Sequence, residues 1–428
     1  MGEFDWLEEA AVKIRDKEYE VAKRNKGKIP CTAENGAFDD CSGADKIGTR
    51  TNGFYGGIQW QLYNATREPL FLENAMSIEK KLDAVLMDAQ AMGDGSGLLW
   101  MPTAVANFHM TGSRPARNRA LLAANNLAGR FNPNGNFLRA FNDPDAGENT
   151  KPKESSAGTA HIRTLMSLPL LYWASEVTKD PRFRTIAVRH AMTATRDFIQ
   201  EDGSVRSIVR YDPKTGDSLD GMECTNTRDN TDSNEALEQA IALYGFTLSF
   251  FHTGESDFLK AAEKTAAFFL SNCPKENMVS GSDAAKETFT DVAKNAVTNE
   301  AKDTATDTAG DVLPGNAPFP ADDAAAALAS SGLVLLAGLV GNDQSLLTPV
   351  AAALSAGYRK AALQLLKMLT EKRACFDAGR DELLCHCIPE QYGRAKDDGA
   401  QKMMPFIYAD YFYIEAVWRL TGRELLIW

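Results

Sequence analysis

Apolar side chains recur at helical spacing through most of this chain, in stretches that come in pairs joined by short polar turns. The clearest pair carries Leu165, Leu168, Leu171, Tyr172 and Ala174 before the turn and Phe183, Ile186, Ala187 and His190 after it. Residues 159–199 therefore read as a helical hairpin. Asp180-Pro181 opens its second arm, where proline's fixed φ suits a first helical turn. The punctuation recurs as Thr66, Phe71, Ala75; Thr178, Phe183, Ala187; and Thr253, Phe258, Ala262, with a weaker copy at Thr111, Ala116, Ala120. A fixed spacing repeated in this way marks an internal repeat.

The pattern predicts about five hairpins, over 52–91, 100–130, 159–199, 233–272 and 322–371. A sixth pairs the chain ends: a helix from Phe406 to Leu420, stopped by Thr421-Gly422, and a first helix through Leu7, Val12, Ile14 and Val21 with Asp5 as its cap. Six hairpins suit a closed double ring of helices. An open solenoid would use shorter and more regular repeats. The whole chain, residues 1–428, reads as one all-α domain.

Long connections rich in Gly and Asn separate the hairpins at 131–158, 200–232 and 373–404, and connections of that length usually carry function. Residues 200–223 alternate as a small β-hairpin would around Asp212-Pro213-Lys214-Thr215-Gly216. Residues 282–316, mostly Ala, Thr, Asp, Lys and Asn, have little apolar surface to bury and read as an insertion or lid.

Composition narrows the partners. The net charge of −12 is spread without a long basic cluster, which argues against nucleic acid. The first residues hold charges throughout and no later stretch reads as a membrane span, so a cytoplasmic protein without a membrane partner is expected. Seven cysteines point to reduced thiols rather than a disulfide framework. Cys375, Cys385, His386 and Cys387 supply zinc-type donors but not the paired C-x-x-C spacing, so neither metal nor cofactor is expected.

The segment Ile162 to Glu176, IRTLMSLPLLYWASE, resembles the unsaturated glucuronyl hydrolases, glycoside hydrolase family 88, where Ile-Asp-Thr-Met-Met-Asn-Leu-Pro-Leu-Leu-Tyr-Trp-Ala is usual. Asn52 to Gly57, Ala124 to Asn132, Asp202-Gly203-Ser204, Tyr244-Gly245-Phe246, Asp322 to Ala329 and Tyr408 to Tyr413 are similar to family segments in the same order. The resemblance implies an (α/α)6 barrel, a six-hairpin toroid. It also implies hydrolysis of terminal 4,5-unsaturated uronic acids: an aspartic acid protonates the ring double bond and water adds at the adjacent carbon.

Against that pattern Gly95 stands where the family keeps one aspartate, although a one-residue shift places Asp94 there. Arg163 stands at the acid/base aspartate, and arginine is no general acid near neutrality. Ser207 replaces a usual His, and the sugar-stacking tryptophan segment aligns with Glu235, Leu237, Glu238, Gln239 and Ile241.

Polar residues nonetheless cluster at the corresponding loops: Asp94, His161, Arg163, Arg206, Arg210, Arg228, Asp229, Asp232, Glu235 and Asp322 or Asp323. Asp94 and Glu235 form the candidate catalytic pair, since glycoside hydrolysis commonly needs two carboxyls, with His161 as a third candidate. Substrate-binding candidates are Arg163 as a bidentate carboxylate clamp, with Tyr55, Trp100, Ser207, Arg210, Gln239 and Tyr244. For Phe54 and Tyr244 plain core packing, and for Asp322 and Asp323 helix capping, weigh more. The expected protein is a glycosidase for small, anionic, uronic-acid-containing oligosaccharides. A non-catalytic carbohydrate-binding relative and a lyase or isomerase on the same ring stay open, as does the oligomeric state.

Overall fold

Threonine makes the turn of each repeated hairpin. The Thr66 hydroxyl donates to the Leu62 carbonyl (2.7 Å) and accepts from the Glu68 N–H (3.2 Å). Thr178 does the same between Ala174 and Asp180, Thr253 between Ser249 and Glu255, and Thr111 between Asn107 and Ser113. One side chain thus satisfies two backbone groups that a helix end leaves orphaned. The next residue turns left-handed in all four copies, at Arg67, Lys179, Gly254 and Gly112. Phe71, Phe183, Phe258 and Ala116 are then buried on the return arm.

The computed structural model describes residues 5–143, 156–219, 235–273, 321–342, 349–388 and 403–428. Within them α1 (Asp5–Arg24) precedes the hairpin α2 (Phe54–Thr66) and α3 (Pro69–Lys81) and the short α4 (Asp83–Leu86). Next come α5 (Ser96–Trp100) and α6 (Ala106–Thr111), joined through a π-turn at Met101–Val105, and then α7 (Arg114–Gly129). The ring continues with α8 (Leu168–Thr178), α9 (Pro181–Asp197), α10 (Glu235–Thr253), α11 (Ser256–Asn272), α12 (Asp323–Asn342), α13 (Pro349–Met368) and α14 (Ile407–Leu420). Successive helices pack as antiparallel pairs; α14 packs on α12, on α2 and on α1, which closes the ring and makes the sixth pair. The expected all-helical (α/α)6 toroid is therefore the observed fold.

Inner and outer helices differ in pattern for a physical reason. Every described residue of α10 from Ala236 to Phe250, and of α14 from Ile407 to Trp418, is buried, as a helix apolar all round must be. The outer α9 and α11 bury one stripe each. One expectation needs correction: Asp323–Gly341 is long and apolar enough to cross a membrane by composition, yet 78% of that window is buried, because it is the inner wall helix between α10 and α14.

A wall without solvent needs internal partners for its polar groups. Glu415 of α14 is fully buried and accepts from Tyr244 Oη (2.7 Å), Ser331 Oγ (2.5 Å), Tyr411 Oη (2.9 Å) and Trp428 Nε1 (2.8 Å). Arg419 Nη2 lies 3.6 Å away. Three inner-wall helices and the C-terminal residue converge on this one carboxylate.

The strands are short. β1 (Ala33–Glu34) pairs with β2 (Ala37–Phe38), and β3 (Phe131–Asn132) with β4 (Phe137–Leu138). The turn at 212–216 forms, with Asp212 Oδ1 accepting from the Lys214 and Thr215 N–H groups. The arm before it pairs on its other edge as well: β6 (Ile208–Arg210) lies antiparallel to β5 (Thr159–His161), while on the return Tyr211 bridges to Ser218 and the Leu219 N–H donates to the Arg210 carbonyl (2.9 Å). Of the sequence expectations, the 282–316 lid and Arg228, Asp229 and Asp232 lie outside the described residues.

Two buried acids, Glu18 of α1 and Asp410 of α14, lie where α1 packs on the ring. Burial, helped by the charge of Asp410, raises the Glu18 carboxyl to about 8, and burial raises Asp410 to about 7. The folded chain keeps these protons where the unfolded chain has released them. Their stabilisation is complete below the unfolded carboxyl values and is lost as pH rises through about 7 to 8. His190, lowered to about 3 by burial, acts oppositely below its unfolded value of about 6.5. The test is therefore a difference: Glu18→Gln should gain stability over wild type in urea titrations at about pH 8.5 and gain little at about pH 5. Equal differences at both values would contradict the assignment.

Candidate active site

The site lies where the inner helices begin. Arg50 and Thr51 before α2, Leu98 on α5, Arg163 and Met166 in the turn before α8, Leu237 and Ile241 on α10, and Phe406 and Tyr408 at the start of α14 line a narrow cleft of about 20 Å³. Helix N-termini carry partial positive charge, so this mouth favours anions before any side chain is counted. Arg50 was not legible as a site residue; its sole sequence signal is its place just ahead of the Asn52-Gly53-Phe54 segment.

Arg163 is held on three sides. Its Nε lies 3.6 Å from Asp94 Oδ2, its guanidinium stacks on Phe141 (5.4 Å to the ring centroid), and its backbone N–H donates to His161 Nδ1 (3.1 Å). It sits in the 3-10 turn Ile162–Ser167, anchored by Ile162 N–H donating to the Ser207 carbonyl (2.9 Å). Asp94, only 6% exposed, also accepts from Thr164 Oγ1 at 3.1 Å. Ser167 Oγ donates to the Asp94 carbonyl and accepts from the Gly97 N–H, which locks the two loops together. A Cβ on Gly97 would meet Ser167 Cα at 2.2 Å, so this approach requires glycine. At Gly95 a Cβ would meet Arg50 Cβ at 2.6 Å; of the two adjacent positions only Asp94 has room for its carboxylate here.

His161 is 4% exposed, opposite Ile208 in the β5–β6 ladder. Burial, then the charges of Arg163 and Arg50, hold it well below the usual histidine range, so it is neutral near pH 7. Because Nδ1 accepts from Arg163, the ring proton is on Nε2, which lies 4.0 Å from Glu238 Oε1. Glu238, 5% exposed, also accepts from Ser207 Oγ.

Asp94, His161, Arg163 and Ser207 are thus brought together, and Glu238 joins them. The other candidates stand apart. Glu235, first residue of α10, is exposed, and the buried acid one turn on is Glu238. Arg210 is exposed on β6 and Arg206 half-buried beside it. Gln239 is a structural clamp: its amide donates to the Gly203 (2.9 Å) and Thr265 (3.0 Å) carbonyls and accepts from Val205 N–H (3.1 Å), leaving nothing for a sugar. Tyr244 spends its hydroxyl on Glu415 and Arg419. Tyr55 is fully buried edge-on to Phe38, its hydroxyl pushed well up by burial, and Trp100 is fully buried in the wall. Phe54 packs among Tyr408, Tyr411 and Phe412. Asp322 caps α12 through Ala324 N–H (3.0 Å), and Asp323 accepts from His386 N–H (3.0 Å).

The all-helical ring has the (α/α)6 architecture of the solved structures it superposes on. In sequence the chain is similar to unsaturated glucuronyl hydrolases. It is 31% identical over 235 residues to the unsaturated glucuronyl hydrolase of Bacillus sp. strain GL1, covering 54% of this chain and 59% of that protein. It is 27% identical over 229 residues to the unsaturated chondroitin disaccharide hydrolase of Streptococcus pyogenes serotype M1, covering 53% and 55%. These matches span little more than half the length of either relative. The crystal structure of the Bacillus sp. GL1 unsaturated glucuronyl hydrolase, described as responsible for glycosaminoglycan degradation, superposes with a TM-score of 0.72 at 22% identity, covering 97% of this chain and 96% of that one. No protein-family model matches the chain.

Removing the Gln239 clamp should loosen the 200–207 connection without touching the guanidinium. Gln239→Ala is expected to cost about 2–4 kcal/mol in denaturant unfolding, from two buried hydrogen bonds and one half-buried, and to speed proteolysis near residue 203. A loss under about 0.5 kcal/mol would show the amide is dispensable.

Proposed function

We propose that this protein hydrolyses small oligosaccharides that end in a 4,5-unsaturated uronic acid. The observation that carries the reading is the pairing of Arg50 and Arg163 in one cleft, set among the N-termini of the inner helices and otherwise lined largely by apolar and aromatic side chains. A uronate carboxylate satisfies a planar guanidinium bidentately, while the ring packs on Phe406, Tyr408 and Leu237. The names of the relatives, unsaturated glucuronyl and unsaturated chondroitin disaccharide hydrolases, supply the chemistry: uronides of this kind are what those proteins are named for.

Asp94 places its carboxyl 3.6 Å from Arg163 Nε. It orients the guanidinium toward the cleft and, with Thr164, holds the loop before α5. Neutral His161 offers an N–H rather than a cation.

A second reading, sugar binding without turnover, is favoured by one observation: Asp94 Oδ2 is already engaged by Thr164 and lies close to Arg163, an arrangement that suits recognition better than proton transfer. Incubation with an unsaturated chondroitin disaccharide and its saturated counterpart separates the readings. Loss of the double-bond absorbance with the first and none with the second supports hydrolysis; tight binding without absorbance loss supports the second reading. Arg163→Ala should weaken uronide binding roughly 10- to 150-fold, the worth of a charge-assisted bidentate contact. Unchanged affinity would remove Arg163 from the substrate.

A further inference from the structure

We infer that Glu238 is the carboxyl group that moves the proton at this site, with Ser207 and His161 as the positioning residues that aim it. The inference rests on the uronide reading above and deepens it, because that reading needs an acid and Arg163 is none.

The geometry selects Glu238 among the acids packed behind the cleft lining. Leu237 and Ile241 of α10 line the cleft, and Glu238 lies three residues before Ile241, a neighbour on the helix surface. Its Oε2 accepts from Ser207 Oγ and its Oε1 lies 4.0 Å from His161 Nε2. Both oxygens are thereby given a direction. Asp94, in contrast, has its Oδ2 bonded by Thr164 Oγ1 and set 3.6 Å from Arg163 Nε. Glu235 is exposed to water.

The fixed tautomer of His161 is part of the arrangement. Nδ1 is occupied by the Arg163 N–H, so the proton-bearing Nε2 is the edge that faces Glu238. Ser207 reaches Glu238 because the β5–β6 ladder and the Ile162-to-Ser207 backbone bond set Ser207 beside the Arg163 turn. A single backbone device thus places the carboxylate-binding guanidinium, the imidazole and the hydroxyl.

In the step assigned to Glu238, the O–H bond of its acid form breaks as the electron pair of the substrate double bond forms a C–H bond. Water then bonds to the adjacent ring carbon and gives one proton to the Glu238 carboxylate. The acid is regenerated, one water is consumed, and no redox partner is needed.

The experiment compares wild type, Glu238→Gln, Glu238→Asp, Ser207→Ala and Glu235→Gln on an unsaturated chondroitin disaccharide, with kcat, calorimetric Kd, pH profile and melting temperature for each. Glu238→Gln should keep Kd within about threefold and melt near wild type while kcat falls roughly 10²- to 10⁴-fold. Glu238→Asp should retain part of the turnover together with a pH profile limb that Glu238→Gln lacks, and Ser207→Ala should shift that limb. Turnover by Glu238→Gln within tenfold of wild type, a larger loss in Glu235→Gln than in Glu238→Gln, or equal losses of kcat and binding in Glu238→Gln would each overturn the assignment. If wild type turns over no unsaturated uronide, the hydrolase reading itself falls first, and the assignment with it.

Discussion

The Glu415 carboxylate is the interaction on which the closed ring depends. Six inner helices packed side by side leave no water for a polar group, yet an inner wall built only of apolar side chains would have little to fix which helix lies beside which. Four donors from α10, α12, α14 and the C-terminal tryptophan answer one charge. Removing a donor leaves the carboxylate under-solvated in a place where desolvation is severe. That penalty ties the last helix to the middle of the chain and brings the two ends together on α2 and α1.

Closure also explains why the site sits where it does. Each hairpin returns the chain to the same face, so the inner helices begin at one mouth and their loops meet there. The mouth inherits positive potential from the backbone, and the side chains refine it: Arg50 and Arg163 add full charges, while Asp94 and Glu238 sit to either side of the Arg163–His161 turn. In the middle of α10 the same ring spends Tyr244 on holding itself together.

The hairpins were legible because their turns are local chemistry. A threonine bonding back to the carbonyl four residues earlier and forward to the next free N–H needs nothing beyond its own neighbourhood, so it leaves the same mark wherever it is used. Most of the family segments were legible for a related reason: Asn52–Gly57, Tyr244–Phe246, Asp322–Ala329 and Tyr408–Tyr413 are inner-wall sequences whose every position is buried. That uniformity is also what hid the site. On α10, Glu235 and Glu238 look alike in sequence, and nothing in an all-buried helix says which acid faces water. Tyr55, Trp100 and Tyr244 read as sugar-stacking aromatics, but the wall needs large flat side chains for its own packing. Gln239 read as a ligand, and only the contacts reveal that both ends of its amide are used inside. Arg163 drew attention by breaking a pattern, and the partners that hold it, Phe141, Thr164 and Asp94, come from loops whose pairing no spacing encodes.

The close seat of Gly97 on Ser167 carries a mechanical meaning. With no side chain between them, and with Ser167 Oγ bonded both to the Asp94 carbonyl and to the Gly97 N–H, the loop before α5 and the turn before α8 form a single stiff plate rather than two adjustable lips. A ligand that pulls on the guanidinium of Arg163 therefore pulls on Asp94 and its helix as well. Selectivity at this mouth is then a matter of shape held in advance, and a substrate that does not match the spacing of the plate has to move two helices to bind.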